Sequence, residues 1–429
     1  MKRRVVVTGG GCISPLGADV ETVWRRLTHG ESGAGPITLF DASRFPVRIA
    51  AEAREWSPDL ISPLPDFWTS LPRQTLFAVY AAERASESAG LSEELSGVSP
   101  GRVGVSLGCG EIFPDLGTLG TAVGEALMPE GLDGRKWIRA ALRTWRAENE
   151  LAMEPGTAEA LVAGRMNAQG PGLNFTTACV SSTIALGEAA EVIRRGDADI
   201  MFAGGTHSMI HPLGISGFFR LATLSTRNED PQGASRPFDR DRDGFLIGEG
   251  GAVLVLEELE AARRRGAEIW AELAGYGCTH DAYRLSDPLP DGRMAARCME
   301  LALRDAGKSP DQVDHINAHG SATQANDVAE TAAIHRALGA HARRVSVSAT
   351  KSMTGHLTTA CGALEFLFCV MAIRRGVVPP TINLETPDPQ CDLDFVPGQA
   401  RRQKVRVALN NNFGFGGQNS VLVATRFEL

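Results

Sequence analysis

Short β-branched runs alternate with helical patterns along this chain, and that alternation constrains its fold more than any other feature. Arg4–Thr8, Val103–Leu107, Ala198–Ala203, Ala252–Leu256 and Trp270–Gly277 read as strands. Val20–Thr28 reads as a helix after a loop at Ser14–Gly17. Strands separated by helices predict an α/β fold with buried sheets. An internal echo adds to this: Ala185-Leu186-Gly187-Glu188 leads to Ile193-Arg194-Arg195-Gly196, and Ala363-Leu364-Glu365 leads to Ile373-Arg374-Arg375-Gly376. It predicts two related halves, 1–256 and 257–429, joined near 257–268. Glu111–Gly170 is the least regular stretch and carries Trp137, Trp145 and Pro155-Gly156. It is expected either to line a pocket as a cap or to pack as a simple insert.

Composition narrows the class. With 429 residues, 43% of them hydrophobic and 22% charged, the chain can bury two layers of core or two fused half-domains. A net charge of -8 argues against nucleic-acid binding. The eight cysteines show no paired spacing, so neither a disulfide framework nor a zinc site is expected, and a reducing cytoplasm fits. The apolar run after Met1-Lys2-Arg3-Arg4 is too short for a signal peptide. No stretch reaches the ~20 apolar residues that span a bilayer.

The chemistry-bearing residues cluster in small-residue settings. Cys179 lies in Thr177-Ala178-Cys179-Val180-Ser181-Ser182, just before a helical run. A helix N-terminus carries about half a positive charge, which favours thiolate. His319 in Ala-His-Gly and His356 in Thr-Gly-His sit in similar glycine-containing contexts. One thiol with two imidazoles points to acyl transfer. Lys351, five residues before His356, is read either as a cation tuning the imidazoles or as a solvated charge. Phe413-Gly414-Phe415-Gly416-Gly417 is read either as a loop offering N–H groups to an oxyanion or as a bulge or hairpin. Gly9-Gly10-Gly11 lacks dinucleotide-loop spacing and is expected as a tight turn. Asp239–Asp243 lacks the acidic residue that would close a calcium loop and is expected as a salt-bridged turn. Cys12, Cys109, Cys278, Cys361 and Cys369 are expected buried and inert. His207 and the remaining histidines are expected at the surface or in packing.

Taken together these motifs resemble the β-ketoacyl-acyl-carrier-protein synthases. The residues that carry the resemblance are Thr177-Ala178-Cys179, Ala318-His319-Gly320-Ser321-Ala322-Thr323, Asn326-Asp327, Lys351-Ser352-Met353-Thr354-Gly355-His356 and Phe413–Gly417. Ser225-Thr226-Arg227-Asn228, Ser235–Asp239 and Pro379–Leu384 are most similar to the elongating synthase II type. The resemblance implies a thiolase fold: two βαβαβαββ halves in a five-layer α-β-α-β-α sandwich, assembled as a dimer. It further implies Cys179 as nucleophile, His319 and His356 as donors to a malonyl thioester, and Lys351 and Glu365 as their support. Cys179 and Phe415 N–H groups are implied as the oxyanion hole, Ser321 and Thr323 as contacts of the phosphopantetheine arm. Phe413, Ile112 and Phe218 are expected around the substrate. The Phe–Gly alternation and the tryptophan-bearing 111–170 segment lead to the expectation that Phe415 gates the acyl site and that Ile112, with residues from Glu111–Gly170, forms the pocket floor.

No metal or other cofactor is expected beyond phosphopantetheine arriving on acyl carrier protein. Four departures stand out: Glu111–Gly170 does not resemble the housekeeping enzyme, Asn412 replaces a usual Ser, Ala222 replaces an Arg that often contacts carrier protein, and Ser321-Ala322 replaces Thr-Gly or Thr-Ser. Arg220 or Arg227 would take over the carrier contact. The expected function is chain elongation by decarboxylative condensation in fatty-acid synthesis. The alternative is the ketosynthase subunit of a dissociated polyketide or polyene system, as a homodimer or paired with a related chain. A non-catalytic chain-length factor is disfavoured because Cys179, His319 and His356 are all present.

Overall fold

The computed structural model describes residues 3–65, 68, 71–91, 97–113 and 115–428. Ten strands form its main ladder: β1 (Val5–Ile13), β2 (Val103–Cys109), β3 (Gly172–Phe175), β4 (Ile200–Ser208) and β5 (Glu249–Glu258), then β6 (Ala271–His280), β7 (His315–Asn317), β8 (Ser346–Ser348), β9 (Val407–Gly414) and β10 (Gln418–Thr425). Their order is β8-β7-β9-β10-β6-β1-β5-β4-β2-β3.

The order reads as one five-strand pattern written twice. β2 runs parallel to β3 and β4, while β4–β5 and β5–β1 are antiparallel. β7 runs parallel to β8 and β9, while β9–β10 and β10–β6 are antiparallel. The patterns meet where Val6 and Val7 of β1 face Glu272 and Ala271 of β6.

Helices fill the remaining layers. α2 (Ser181–Arg195) and α5 (Cys361–Arg375) are the echoed segments, 15 residues each. They pack against each other and against the strands of both patterns. α5 is buried on every face from Cys361 through Ile373 and apolar there apart from Glu365, as suits a helix enclosed in the core. Burying a side chain such as Phe366 or Leu367 there stabilises the fold by roughly 1.5–3 kcal/mol. Both helices stop at a left-handed glycine, Gly196 and Gly376, where a side chain would be strained. α1 (Arg73–Ser88) covers β1, β4 and β5 from outside. α3 (Arg293–Asp305) covers β6 and β10, with α4 (Gln324–Leu338) packed on α3. The result is the five-layer thiolase sandwich that the resemblance implied.

Three sequence expectations change. Gly9–Gly11 is no turn but the middle of β1; a Cβ at Gly11 would lie 2.2 Å from the Ala81 carbonyl oxygen, so the glycine marks where α1 presses on the sheet. Glu111–Gly170 is mostly regular, with helices at Leu116–Ala126, Gly134–Thr144, Ala147–Ala152 and Gly156–Arg165. Two of them start from aspartate caps, Asp115 and Asp133, and Trp137 meets Trp145 edge to face at 5.6 Å. Cys278 is exposed rather than buried. The aspartate–arginine turn is salt-bridged as expected: buried Arg242 holds Asp388 at 2.7 Å and Asp327 at 3.5 Å.

Candidate active site

Cys179 is set by a left-handed turn between β3 and α2. Ala178 has φ of 50°, after which Ala178–Val180 make one 3-10 turn before α2 begins at Ser181. A non-glycine residue there is strained, so packing must hold it. The sheet is hollowed to admit the turn: a Cβ at Gly108 of β2 would lie 2.3 Å from the Ser182 nitrogen. On the other side, the β9–β10 hairpin brings Gly414 against the Cys179 nitrogen. Phe413–Gly417 is thus the end of β9 and the hairpin turn Phe415–Gly417 that follows it, and it also faces the thiol. The backbone N–H groups of Phe415 and Cys179 both pull the thiol pKa down.

They do not win. Burial pushes the Cys179 thiol up to about 11 against Lys351 and those two N–H groups. The expectation of a thiolate favoured by the helix is therefore corrected: Cys179 lies within the 3-10 turn that leads into α2 and is buried, and burial holds it as a thiol.

The echo supplies the facing half of the site. Thr358 has φ of 48°, and Thr358–Ala360 make the 3-10 turn before α5. Thr358 donates its N–H to His356 Nδ1 at 3.0 Å, so His356 carries its proton on Nε2. His319 follows β7, with its own N–H and that of Gly320 held by Glu330 at 2.9 and 2.8 Å. Among the described residues His319 Nδ1 has no hydrogen-bond partner. The two imidazoles meet edge to face at 5.2 Å. Burial and then Lys351 hold both well below the usual histidine range, so both are neutral.

Lys351 is 1% exposed and pairs with Glu365 at 2.5 Å. Burial disfavours its ammonium, but Glu365, with Cys361 and Glu330 adding to it, outweighs that and the lysine pKa rises. The reading of Lys351 as a solvated charge is thereby excluded. Asn412 donates to the other Glu365 oxygen at 2.7 Å and accepts from Thr183 Oγ1 at 2.6 Å. The residue noted as a departure thus ties α2, α5 and β9 together under the site.

Cys179 stands where two cavities meet. One is lined by His319, His356, Ser321, Thr323, Asn326 and Phe413 among others. The other, of about 540 Å³, is lined mainly by apolar groups including Phe113, Met209, Leu213, Leu221 and Gly217. Cys179, Phe218, Phe415 and Thr358 border both. Ile112 is not among the residues lining this cavity, whereas its neighbours Glu111 and Phe113 are. Ser321 and Thr323 hydroxyls pair at 3.0 Å.

Family comparisons agree with this geometry. The Beta-ketoacyl synthase N-terminal domain matches residues 2–262, and the Beta-ketoacyl synthase C-terminal domain matches 270–385. The chain belongs to the β-ketoacyl synthase family. It is an acyltransferase, a condensing enzyme. It is 44% identical to the 3-oxoacyl-[acyl-carrier-protein] synthase 2 of Coxiella burnetii, covering 99% of each chain. It is 41% identical to the tetracenomycin polyketide synthase ketoacyl synthase alpha subunit of Streptomyces glaucescens, over 99% of this chain and 97% of that one. Among solved structures, a type II polyketide ketosynthase in complex with its acyl-carrier protein matches at TM-score 0.88 and 35% identity, with full coverage of both chains.

Sequence reasoning missed Glu330, Thr358 and His207. Glu330 follows Asp327 by three residues on α4, so both carboxylates fall on the helix face that also carries Ile334 and Ala337, and that acidic i, i+3 pair was a readable signal. Its carboxyl is pushed up to about 7 by burial. His207, expected in packing or at the surface, is buried and lines the apolar cavity.

The thiol pKa carries a prediction. Iodoacetamide modification of Cys179, followed by peptide mapping, should accelerate about tenfold per pH unit from pH 7 to 9, since the thiolate fraction grows throughout that range. A rate that levels off below pH 9 would contradict the burial argument.

Proposed function

We propose that this chain elongates acyl chains on acyl carrier protein by decarboxylative Claisen condensation in fatty-acid synthesis. The observation that carries it is Cys179 at the junction of a polar, histidine-bearing cavity and an apolar one of about 540 Å³. A pantetheine arm enters the first, with Ser321 and Thr323 along it, and an acyl chain lies in the second.

The steps balance. Cys179 sulfur attacks the acyl thioester; the tetrahedral oxyanion faces the N–H groups of Cys179 and Phe415, and the pantetheine thiol leaves with the Cys179 proton. A malonyl thioester then enters. Neutral His319 and His356 donate to its carbonyl oxygen, and the C–C bond to the carboxylate breaks with loss of CO2, leaving an enolate. The enolate carbon attacks the acyl-Cys179 carbonyl, the tetrahedral adduct expels the cysteine thiolate, and that thiolate regains a proton from solvent. Donors of unchanged charge suit this step, because an imidazolium beside Lys351 would be repelled. The electrons and protons close without a redox or metal cofactor, and the only prosthetic group written is the pantetheine of the carrier.

Partners follow from the surface. Arg220, exposed at the end of Pro212–Arg220, is assigned to the carrier contact; Arg227 is turned toward the Asp241 carbonyl oxygen at 2.6 Å. Leu127, Leu132, Ile138, Leu142 and Leu151 are exposed on the 116–152 segment, and a second chain, identical or related, is proposed to cover them. The chain is assigned two halves, 1–256 and 257–429, and a cytoplasmic location; among the described residues no helix is long and apolar enough to cross a membrane. The polyketide reading stands second on the 41% identity to the tetracenomycin subunit.

Two experiments test this. Cys179→Ser should abolish condensation, whereas His319→Ala and His356→Ala should lose malonyl decarboxylation yet still acylate Cys179. Intact-mass adducts and CO2 release separate the steps, and normal CO2 release from either histidine variant would overturn the roles. Separately, Gly217 lines the apolar cavity and a Cβ there meets nothing within 4 Å. Gly217→Leu should keep the fold and shorten the longest acyl chain accepted, since extra methylenes forced into a filled pocket cost about 1–3 kcal/mol. An unchanged chain-length profile would place the acyl chain elsewhere.

A further inference from the structure

The condensation scheme leaves one group in the apolar cavity wall unused. His207, near the end of β4, is 1% exposed and lines that cavity. Its Nε2 lies 3.3 Å from the Glu111 carbonyl oxygen. A carbonyl only accepts, so the His207 proton sits on Nε2 and Nδ1 is left as an acceptor. Nδ1 takes the Thr358 hydroxyl. Thr358 is the β-branched residue at φ 48°, a conformation it holds only when its surroundings fix it. Its N–H in turn fixes the His356 tautomer at 3.0 Å. A single polar chain therefore runs from the cavity wall at Glu111, through His207 and Thr358, to His356.

The wall is shaped for this ring. A Cβ at Gly110 would lie 2.3 Å from His207 Nε2, and Gly110 does not have the positive φ that would itself demand glycine. The glycine makes room for the imidazole. With its one lone-pair nitrogen occupied by Thr358, His207 has no site left to take the Cys179 proton, which separates it from a general base.

We propose that His207 is a positioning residue for His356: by holding Thr358 it keeps the His356 Nε2–H aimed at the malonyl carbonyl, and it links that aim to the acyl-cavity wall. The inference rests on His356 as a donor to the malonyl thioester. The experiment compares His207→Leu, which fills the space without hydrogen bonds, with His207→Gln, whose amide can both accept from Thr358 and donate to Glu111. Leu should lower the turnover of malonyl-carrier decarboxylation at least tenfold, with KM within twofold of wild type and Cys179 acylation retained. Gln should recover to within about threefold of wild type. Gly110→Ala should act like His207→Leu, and should add nothing in a His207→Ala background. Wild-type decarboxylation by His207→Leu, equal loss in the Leu and Gln variants, or an additive Gly110→Ala effect would each overturn the proposal. Failure of the wild-type protein itself to decarboxylate malonyl carrier would instead reject the functional reading on which it rests.

Discussion

Everything at the centre of this molecule hangs on two strained turns that face each other, Ala178 at φ 50° and Thr358 at φ 48°. Each heads a 15-residue central helix, and each would cost on the order of 1–3 kcal/mol if it stood alone. They persist because α2 and α5 are clamped between the sheets and tied through Thr183, Asn412 and Glu365. One turn delivers a thiol; the other delivers an N–H that fixes an imidazole. Duplication of a single supersecondary unit thus yields two unlike halves of one site.

Charge is used sparingly there. Lys351 is the buried cation beneath the site, and its attraction for Glu365 keeps it ionised despite desolvation. Removing one member of such a pair leaves an uncompensated buried charge, typically a loss of 3–5 kcal/mol. The same ammonium, acting over short distances in a dry interior, presses the histidines toward their neutral forms and the thiol toward its anion. For Cys179 desolvation wins over that pull, and for the histidines desolvation and the lysine act in the same direction. The site therefore holds a thiol and two neutral donors at rest.

The strand cores were legible because runs such as Val103–Leu107 and Ala252–Leu256 are β-branched and apolar, and the helix at Val20–Thr28 was legible to the residue. The duplication was legible in the Ile-Arg-Arg-Gly endings, because both central helices need the same left-handed glycine stop. Gly9–Gly11 was not, since nothing local announces a helix 70 residues later lying on that strand. Cys179, His319 and His356 stood out by their small neighbours. His207 did not: its hydroxyl partner is 151 residues away, and its other partner is a backbone carbonyl that sequence cannot mark. Within the segment expected at the acyl pocket, Glu111 and Phe113 line the cavity and Ile112 between them does not, a distinction the sequence does not mark.

The central claim is that the histidine facing Cys179 works as a neutral donor through Nε2. Carbon-13 and nitrogen-15 spectra of the histidine-labelled protein, with His356 assigned by its loss in His356→Gln, test this directly. At pH 7 the His356 ring should show the neutral Nε2–H tautomer. A protonated imidazolium, or the Nδ1–H tautomer, would contradict both the hydrogen bond from Thr358 and the account of the site built on it.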